Sequence, residues 1–285
     1  MPSPTPGFHR PRTVEEAVAL LAADDGARPI SGGATLVAML NARVLEPSAL
    51  VSLAGIAELQ GISRLEGGGL RIGAFTRHRD TAACPLLVGT AAVLREAAGQ
   101  IANATVRNMG TIGGSISFAD PGLDYPPALV AADATIEIAG SAGRRQVPAR
   151  EFFVDWYVTA LEPGEIVTAV LLAPPDVSGS GVYVKHSRVS GDYATASVAT
   201  CLQADGRMRV VIGGRGPTPL ADDGADIALS SSRDDATIAQ AGAALQSLAD
   251  PLDDVRGSAD YRRQLIPRLL LRAVRAAEVS RGVRA

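Results

Sequence analysis

The chain has 285 residues, of which 47% are hydrophobic, enough for two or three compact units with a buried core. Its net charge of −3 and the lack of a basic block give no indication of a nucleic-acid partner. No apolar run approaches the ~18 residues of a membrane span, and the first six residues do not have the pattern of a signal peptide. We therefore expect a globular, cytoplasmic protein with no membrane span.

Cysteine and histidine are too rare for a metal centre or a disulfide framework. Cys84 and Cys201 cannot form an iron–sulfur cluster or a zinc ribbon, and both are predicted to be buried, small apolar side chains. The three histidines are scattered along the chain, so we expect no metal ligands. Lys185 is the only lysine, which reflects either compositional drift or a need for a compact ammonium group at this position.

The first sixty residues have the pattern of an α/β unit. A helix is expected after Thr13, because Thr13 and Glu16 have the spacing of a capping box in which each satisfies the other's free backbone amide. The apolar face of this helix is predicted to consist of Val14, Ala17, Val18 and Leu21. The elements that follow are predicted as a strand near Ile30, a glycine turn at 31–36, an amphipathic stretch at 36–43 and a strand at 50–53.

The next segment predicts further strands and helices before a break in the chain. In order, we expect a hairpin between Ile62 and Ala74, an N-cap at Thr76, a helix over 86–98, an extended run at 106–109, a second glycine turn at 110–115, an irregular segment at 118–124, a helix from Pro126 or Pro127 to Ala132, and strands at 135–139 and 166–172. Pro174-Pro175 and the Ser/Gly run at 178–181 indicate a domain boundary.

Beyond this boundary the pattern changes to strands followed by helices. We predict strands at 181–187, 196–203 and 208–212 and helices at 235–248 and 259–281. This order favours an α+β unit in which an antiparallel sheet is backed by helices.

The two glycine turns, 31–36 and 110–115, are candidate anion sites. Glycine lets backbone amides converge on a phosphate without a Cβ in the way, and two distant turns could hold the two halves of a dinucleotide pyrophosphate. Glycine pairs more commonly form ordinary tight turns, and neither segment has the Gly-x-Gly-x-x-Gly pattern or a phosphate loop. Asp124 follows the second turn and is either an acceptor for ribose hydroxyls or a simple turn former.

Lys185 is the second candidate functional feature. It lies on a predicted strand near Arg188 and Asp192, where its ammonium group could stabilise negative charge on a reduced flavin. A surface lysine on a strand edge is the alternative. No Ser/His/Asp or Cys/His arrangement and no nucleophile elbow is present, so hydrolytic chemistry is not indicated.

Taken together, these motifs resemble the FAD-binding medium subunit of molybdenum hydroxylases, similar to the carbon monoxide dehydrogenase flavoprotein and the flavin domain of xanthine dehydrogenase. The resemblance covers nearly the whole chain. It rests on the segments 8–21, 31–43, 107–115, 119–124, 157–161, 185–194 and 213–219.

The resemblance implies an α+β fold. Residues 1–176 would form a two-part α/β FAD-binding domain of the PCMH (vanillyl-alcohol-oxidase-like) type, with subdomains of about 1–60 and 61–176, and residues 177–285 a C-terminal domain with an antiparallel sheet and helices. It implies FAD as cofactor, with Lys185 and Tyr193 as candidates beside the flavin ring. The implied cofactor-binding residues are Ser31, Gly32, Gly33, Ala34, Thr35, Leu36, Thr111, Gly113, Gly114, Ser115, Asp124 and Lys185.

The implied function is electron transfer within a complex. An iron–sulfur small subunit would deliver electrons from a molybdopterin large subunit, and the flavin would pass them to NAD, oxygen or a quinone. A stand-alone FAD-dependent oxidoreductase and a non-catalytic nucleotide-binding module are the alternatives. The sequence departs from the family pattern at four positions, Ala34, Ser115, Phe118 and Val189. Loss of side-chain hydrogen bonds at the first two would cost ~0.5–1.5 kcal/mol each, so FAD binding should survive.

Overall fold

The computed structural model describes residues 6–282. Residues 1–5, where the sequence shows no signal-peptide pattern, and residues 283–285 lie outside the described part. The strands are β1 (Gly7–His9), β2 (Arg28–Ile30), β3 (Ala49–Ser52), β4 (Ile62–Arg64), β5 (Leu70–Gly73), β6 (Thr135–Gly140), β7 (Gly143–Pro148), β8 (Phe153–Asp155), β9 (Val158–Thr159), β10 (Ile166–Leu172), β11 (Ser180–His186), β12 (Ala196–Leu202), β13 (Met208–Gly213) and β14 (Leu220–Ala221).

The helices are α1 (Val14–Ala23), α2 (Leu36–Asn41), α3 (His78–Ala83), α4 (Ala92–Gln100), α5 (Ala104–Met109), α6 (Ile112–Phe118), α7 (Tyr125–Ala131), α8 (Ala149–Phe152), α9 (Asp223–Ser231), α10 (Asp235–Leu248) and α11 (Ala259–Gly282), with short 3-10 turns at Leu53–Gly55, Ala57–Leu59 and Gly89–Ala91. None of these helices combines the length and apolarity needed to cross a bilayer.

The first sheet is parallel and has the order β1-β3-β2. Helix α1 packs on this unit through the four predicted apolar residues, all of which are buried. Half of the predicted capping box forms, since the Thr13 hydroxyl accepts a hydrogen bond from the Glu16 amide at 3.1 Å. The other half is wrong, because the Glu16 carboxylate accepts at 2.7 Å from the amide of Arg12 instead of Thr13.

The second sheet is antiparallel, with the order β4-β5-β10-β6-β7. The predicted hairpin is confirmed as β4 and β5, and β10 has the predicted bounds. Strand β7 was not predicted, because its sequence Gly-Arg-Arg-Gln-Val-Pro is largely polar and exposed. Its hydrogen bonds to β6 create the strand.

The third sheet is antiparallel, with the order β11-β12-β13-β14, and is buried on both faces. Val182 and Val198 on one face join the core formed with α9, α10 and α11. Tyr183, Ala199 and Cys201 on the other face join the core of the N-terminal sheets. The predicted helical backing therefore covers one face only, and the N-terminal part of the chain covers the other.

Two helix predictions around residues 76–98 are wrong at their N-termini. Thr76 caps no helix, because its hydroxyl donates to the Gly61 carbonyl at 2.9 Å, and α3 begins later, at His78. The helix expected over 86–98 begins at Ala92, after the 3-10 turn. Gly89 has φ +58° and packs against the backbone of Asp176, which holds the preceding segment out of the helix.

The second glycine segment also differs from its prediction. The run at 106–109 is helical, as the end of α5, and Gly113 and Gly114 lie in the first turn of α6. Thr111 is the N-cap of α6, with its hydroxyl accepting from the Gly114 amide at 3.2 Å. The sequence motif is therefore a helix start between two helices, and not a turn after a strand.

Candidate cofactor-binding site

The two glycine-rich segments meet at one cavity of about 550 Å³, a volume typical of small-molecule sites. Its wall is formed by residues before α2, the first turns of α6, the segment before α7 and the loop before β12. Every predicted site residue except Lys185 lines this cavity: Ser31, Gly32, Gly33, Ala34, Thr35, Leu36, Thr111, Gly113, Gly114, Ser115, Asp124 and Tyr193.

The two segments are in direct contact with each other. A Cβ built on Gly32 would overlap the carbonyl oxygen of Met109, so only glycine permits this approach. Next to it, the hydroxyl oxygens of Ser31 and Thr111 are 2.8 Å apart and form a hydrogen bond. The first segment is therefore fixed against the second, although 80 residues separate the two hydroxyl groups.

The first segment presents free backbone donors. Within residues 6–282, the amides of residues 32–36 donate to no other protein group, and the Thr35 hydroxyl caps no helix amide. Gly33 has φ +76°, the left-handed conformation that turns successive amides toward one side. This segment can therefore bind an anion through several converging N–H groups.

The second segment has few such donors, because its amides are already used within the protein. The Ile112 amide donates to the Thr76 carbonyl at 3.0 Å, and the Gly113 amide donates to the Ala74 carbonyl at 2.9 Å. The amides of Gly114 and Ser115 both donate to Thr111. The two glycine segments are therefore not equivalent: the first offers amides, and the second contributes a close-packed wall.

A buried charge cluster lies behind the cavity wall at Asp124. One carboxylate oxygen, Oδ1, accepts a hydrogen bond from the Tyr183 hydroxyl at 2.8 Å and is 2.9 Å from Lys185 Nζ. The side chains of Lys185 and Asp124 are only 4% and 7% exposed. Burial raises the pKa of Asp124, and Lys185 and Tyr183 oppose that rise.

Lys185 itself does not line the cavity. Its ammonium group also donates to the carbonyl oxygens of Gln100 at 2.8 Å and Asp192 at 3.2 Å, so it joins three separate segments. Tyr183 was missed by the sequence analysis. Its spacing of two from Lys185 on one strand places both side chains on the same face and could have indicated the pair.

His78 is a further cavity residue that sequence reasoning missed. It lies at the start of α3, only 4% exposed, with Nδ1 3.3 Å from the Tyr125 hydroxyl. Burial, reinforced by the charge of Arg107, lowers the pKa of His78 from 6.5 to about 4. The imidazole is therefore neutral at pH 7 and adds no charge to the cavity.

The lowered pKa of His78 predicts acid sensitivity. Between pH 6.5 and about 4 the unfolded chain binds a proton at this ring and the folded chain does not. Stability should therefore be lost as the pH falls through this window, by up to ~3 kcal/mol for this group. His78→Gln should flatten the dependence of the unfolding free energy on pH, measured by urea denaturation. His9→Gln, at an exposed position, is the control, and an equal slope in wild type and His78→Gln would contradict the prediction.

Comparison with known proteins identifies the family. Residues 4–174 match the FAD binding domain in molybdopterin dehydrogenase, and residues 181–277 match the CO dehydrogenase flavoprotein C-terminal domain. The chain belongs to the FAD-binding medium subunits of molybdenum hydroxylases. This confirms the resemblance found in the sequence, and it makes the chain a subunit of FAD-dependent oxidoreductases.

Relatives of this medium subunit match it over nearly their full length. The carbon monoxide dehydrogenase medium chain of Afipia carboxidovorans is 35% identical over 95% of this chain and 96% of the relative. The glyceraldehyde dehydrogenase medium chain of Sulfolobus acidocaldarius is 33% identical over 93% of this chain and 96% of the relative. The solved structure of carbon monoxide dehydrogenase from Hydrogenophaga pseudoflava superposes with a TM-score of 0.93 at 35% identity, covering 98% of this chain and 99% of that one.

The residues of this medium subunit fit FAD. The free amides of residues 32–36 suit a pyrophosphate, and the acceptor oxygen of Asp124 suits hydroxyl or N–H groups. When bound, FAD supplies a ring that accepts and releases electrons. Of the four departures from the family pattern, Ala34, Ser115 and Phe118 line the cavity, whereas Val189 is 61% exposed outside it.

Proposed function

We propose that this medium subunit carries electrons from the iron–sulfur clusters of a partner subunit, through FAD, to NAD, oxygen or a quinone. A molybdopterin subunit would oxidise the substrate. The medium-chain relatives from carbon monoxide and glyceraldehyde dehydrogenases support a role in such complexes. Because those relatives belong to enzymes with different substrates, the medium subunit does not define the substrate.

The row of free amides at residues 32–36 is the observation that carries the proposal. We infer that the FAD pyrophosphate binds there, with Gly114 and Ser115 forming the opposite wall. Backbone donors are unaffected by the change of side chain at Ala34, which supports FAD binding despite the departures from the family pattern.

We place the flavin ring toward Asp124 and Tyr193, where the C-terminal part of the chain reaches the cavity. Asp124 Oδ1 is occupied by Tyr183 and Lys185, which leaves Oδ2 as the acceptor for the cofactor. Lys185 would then act through Asp124 and not by direct contact with the ring.

The domain division is part of the same proposal. We propose an FAD-binding domain of residues 1–176, of the PCMH type and divided near residue 60, and a C-terminal domain of residues 177–285. The change from the second to the third sheet between β10 and β11 supports this division. The cytoplasmic location stays a prediction.

Purification from the native host tests the proposal. We expect a yellow protein that releases FAD on denaturation and co-purifies with subunits containing iron–sulfur clusters and molybdenum. The absence of both bound FAD and FAD-induced thermal stabilisation would overturn it. An isolated flavoprotein without these partners, bleached directly by a small-molecule substrate, would instead show a stand-alone oxidoreductase.

A further inference from the structure

The loop between α10 and α11 contacts Tyr193, a residue of the cavity wall. Arg256, on this loop, places its guanidinium carbon 4.9 Å from the centre of the Tyr193 ring. A cation at this distance over an aromatic face is attracted by the electrons of the ring. Because Tyr193 lines the cavity, this contact joins the C-terminal loop to the cofactor site.

Arg256 also holds the backbone next to Tyr193. Its Nε is 3.2 Å from Asp192 Oδ1, and the same oxygen accepts from the Tyr193 amide at 2.7 Å. The Lys185 ammonium group donates to the Asp192 carbonyl oxygen at 3.2 Å. The segment that carries the ring is therefore held both by its backbone and by its side chains.

The position of Arg256 is in turn fixed by α11. The Arg256 amide donates to Asp254 Oδ1 at 2.8 Å, and Arg262 Nη2 donates to the same oxygen at 2.5 Å. Arg262 is buried on α11 and donates through Nη1 to the Thr195 carbonyl at 2.8 Å. Through Asp254 and Arg262, these contacts connect Arg256 to the carbonyl of Thr195, which lies two residues after Tyr193 in the chain.

We propose that Arg256 is a positioning residue that holds the Tyr193 ring against the flavin ring of bound FAD. One face of the phenol is covered by the guanidinium group, so the opposite face or the edge is left for the cofactor. Gly122 packs closely against the base of the same side chain, since a Cβ there would lie 3.2 Å from Tyr193 Cβ. Arg256 therefore restricts the ring to the cavity wall. The inference rests on the proposed placement of the flavin ring.

Flavin fluorescence tests this inference, because a phenol in contact with an excited flavin quenches its emission. We expect strong quenching when FAD binds the wild type and brighter bound FAD in Tyr193→Phe. Arg256→Met should also brighten bound FAD, because fewer molecules then hold the Tyr193 ring in the position that quenches the flavin. We expect the equilibrium between the quenching and other ring positions to change by about fivefold, the factor that corresponds to the loss of one cation–π contact. The double variant should be no brighter than Tyr193→Phe.

Two further variants separate positioning from a general loss of structure. Asp192→Asn is nearly isosteric, keeps an acceptor for the Tyr193 amide and weakens the pairing with Arg256, so it should also brighten bound FAD. Arg272→Met removes an exposed arginine of α11 that lies away from the loop, and it should keep wild-type quenching.

The outcomes separate the inference from the proposed function. Unchanged quenching in both Arg256→Met and Asp192→Asn, or a double variant brighter than Tyr193→Phe, would overturn the inference while FAD binding stands. Failure of the wild-type protein to bind FAD would overturn both.

Discussion

Gly32→Ala is expected to weaken FAD binding and to destabilise the protein by ~3 kcal/mol, at the upper end of overpacking effects. The added Cβ would meet the Met109 carbonyl oxygen, which is backbone and cannot turn away. The two glycine segments must then separate, which also breaks the Ser31–Thr111 hydrogen bond. FAD affinity should fall by at least ~10-fold, a loss of ~1.4 kcal/mol of binding free energy. Fluorescence titration and urea denaturation measure the two effects.

Gly99→Ala is the matched control for this substitution. Gly99 lies in α4, and a Cβ there meets no atom within 4 Å. Alanine should leave FAD affinity unchanged and raise stability by up to ~1 kcal/mol, because glycine is a poor helix former. Wild-type FAD affinity in Gly32→Ala would show that contact between the two segments is not needed for the site.

Lys185→Met is expected to lower the free energy of unfolding by ~3–5 kcal/mol, the cost of leaving one member of a buried ion pair alone. Asp124 would lose its cation while staying buried, and its pKa would rise further above the value of the unfolded chain. A raised folded pKa means that stability is lost as the pH rises, so the deficit should be larger at about pH 8 than at about pH 5. Denaturation at the two pH values checks this.

The double variant Lys185→Met/Asp124→Asn provides the control. Removing both charges should restore most of the lost stability, because no uncompensated charge remains buried. Wild-type stability in Lys185→Met alone would contradict the pairing with Asp124. The sequence also indicated that the Lys185 ammonium group could stabilise negative charge on a reduced flavin. On that hypothesis Lys185→Met should lower the flavin reduction potential or slow reoxidation, and the same protein can be used to measure both.

Local sequence was sufficient for elements whose signals are strong and close together. Helix α10 and strand β10 have the predicted bounds, since continuous helical periodicity and a continuous apolar run determine them locally. Strand β7 lacks such a signal and is defined by its pairing with the preceding strand β6. Helix α5 has a local signal that the sequence analysis missed, since the Asn103 side chain accepts a hydrogen bond from the Val106 amide. The family, and with it FAD, followed from motifs spread along the chain.

The sequence by itself placed both glycine segments, Asp124, Lys185 and Tyr193 among the candidate residues, and it predicted the change from the N-terminal sheets to the C-terminal unit. Only the tertiary structure showed that the amides of residues 32–36 are free, whereas the Gly113 amide donates to the Ala74 carbonyl. The sequence could not show this, because Ala74 lies far from Gly113 along the chain. It also placed Lys185 behind Asp124 and Arg256 over Tyr193. The reason is physical: residue type sets which groups can donate or carry charge, whereas long-range packing decides which of them find a partner.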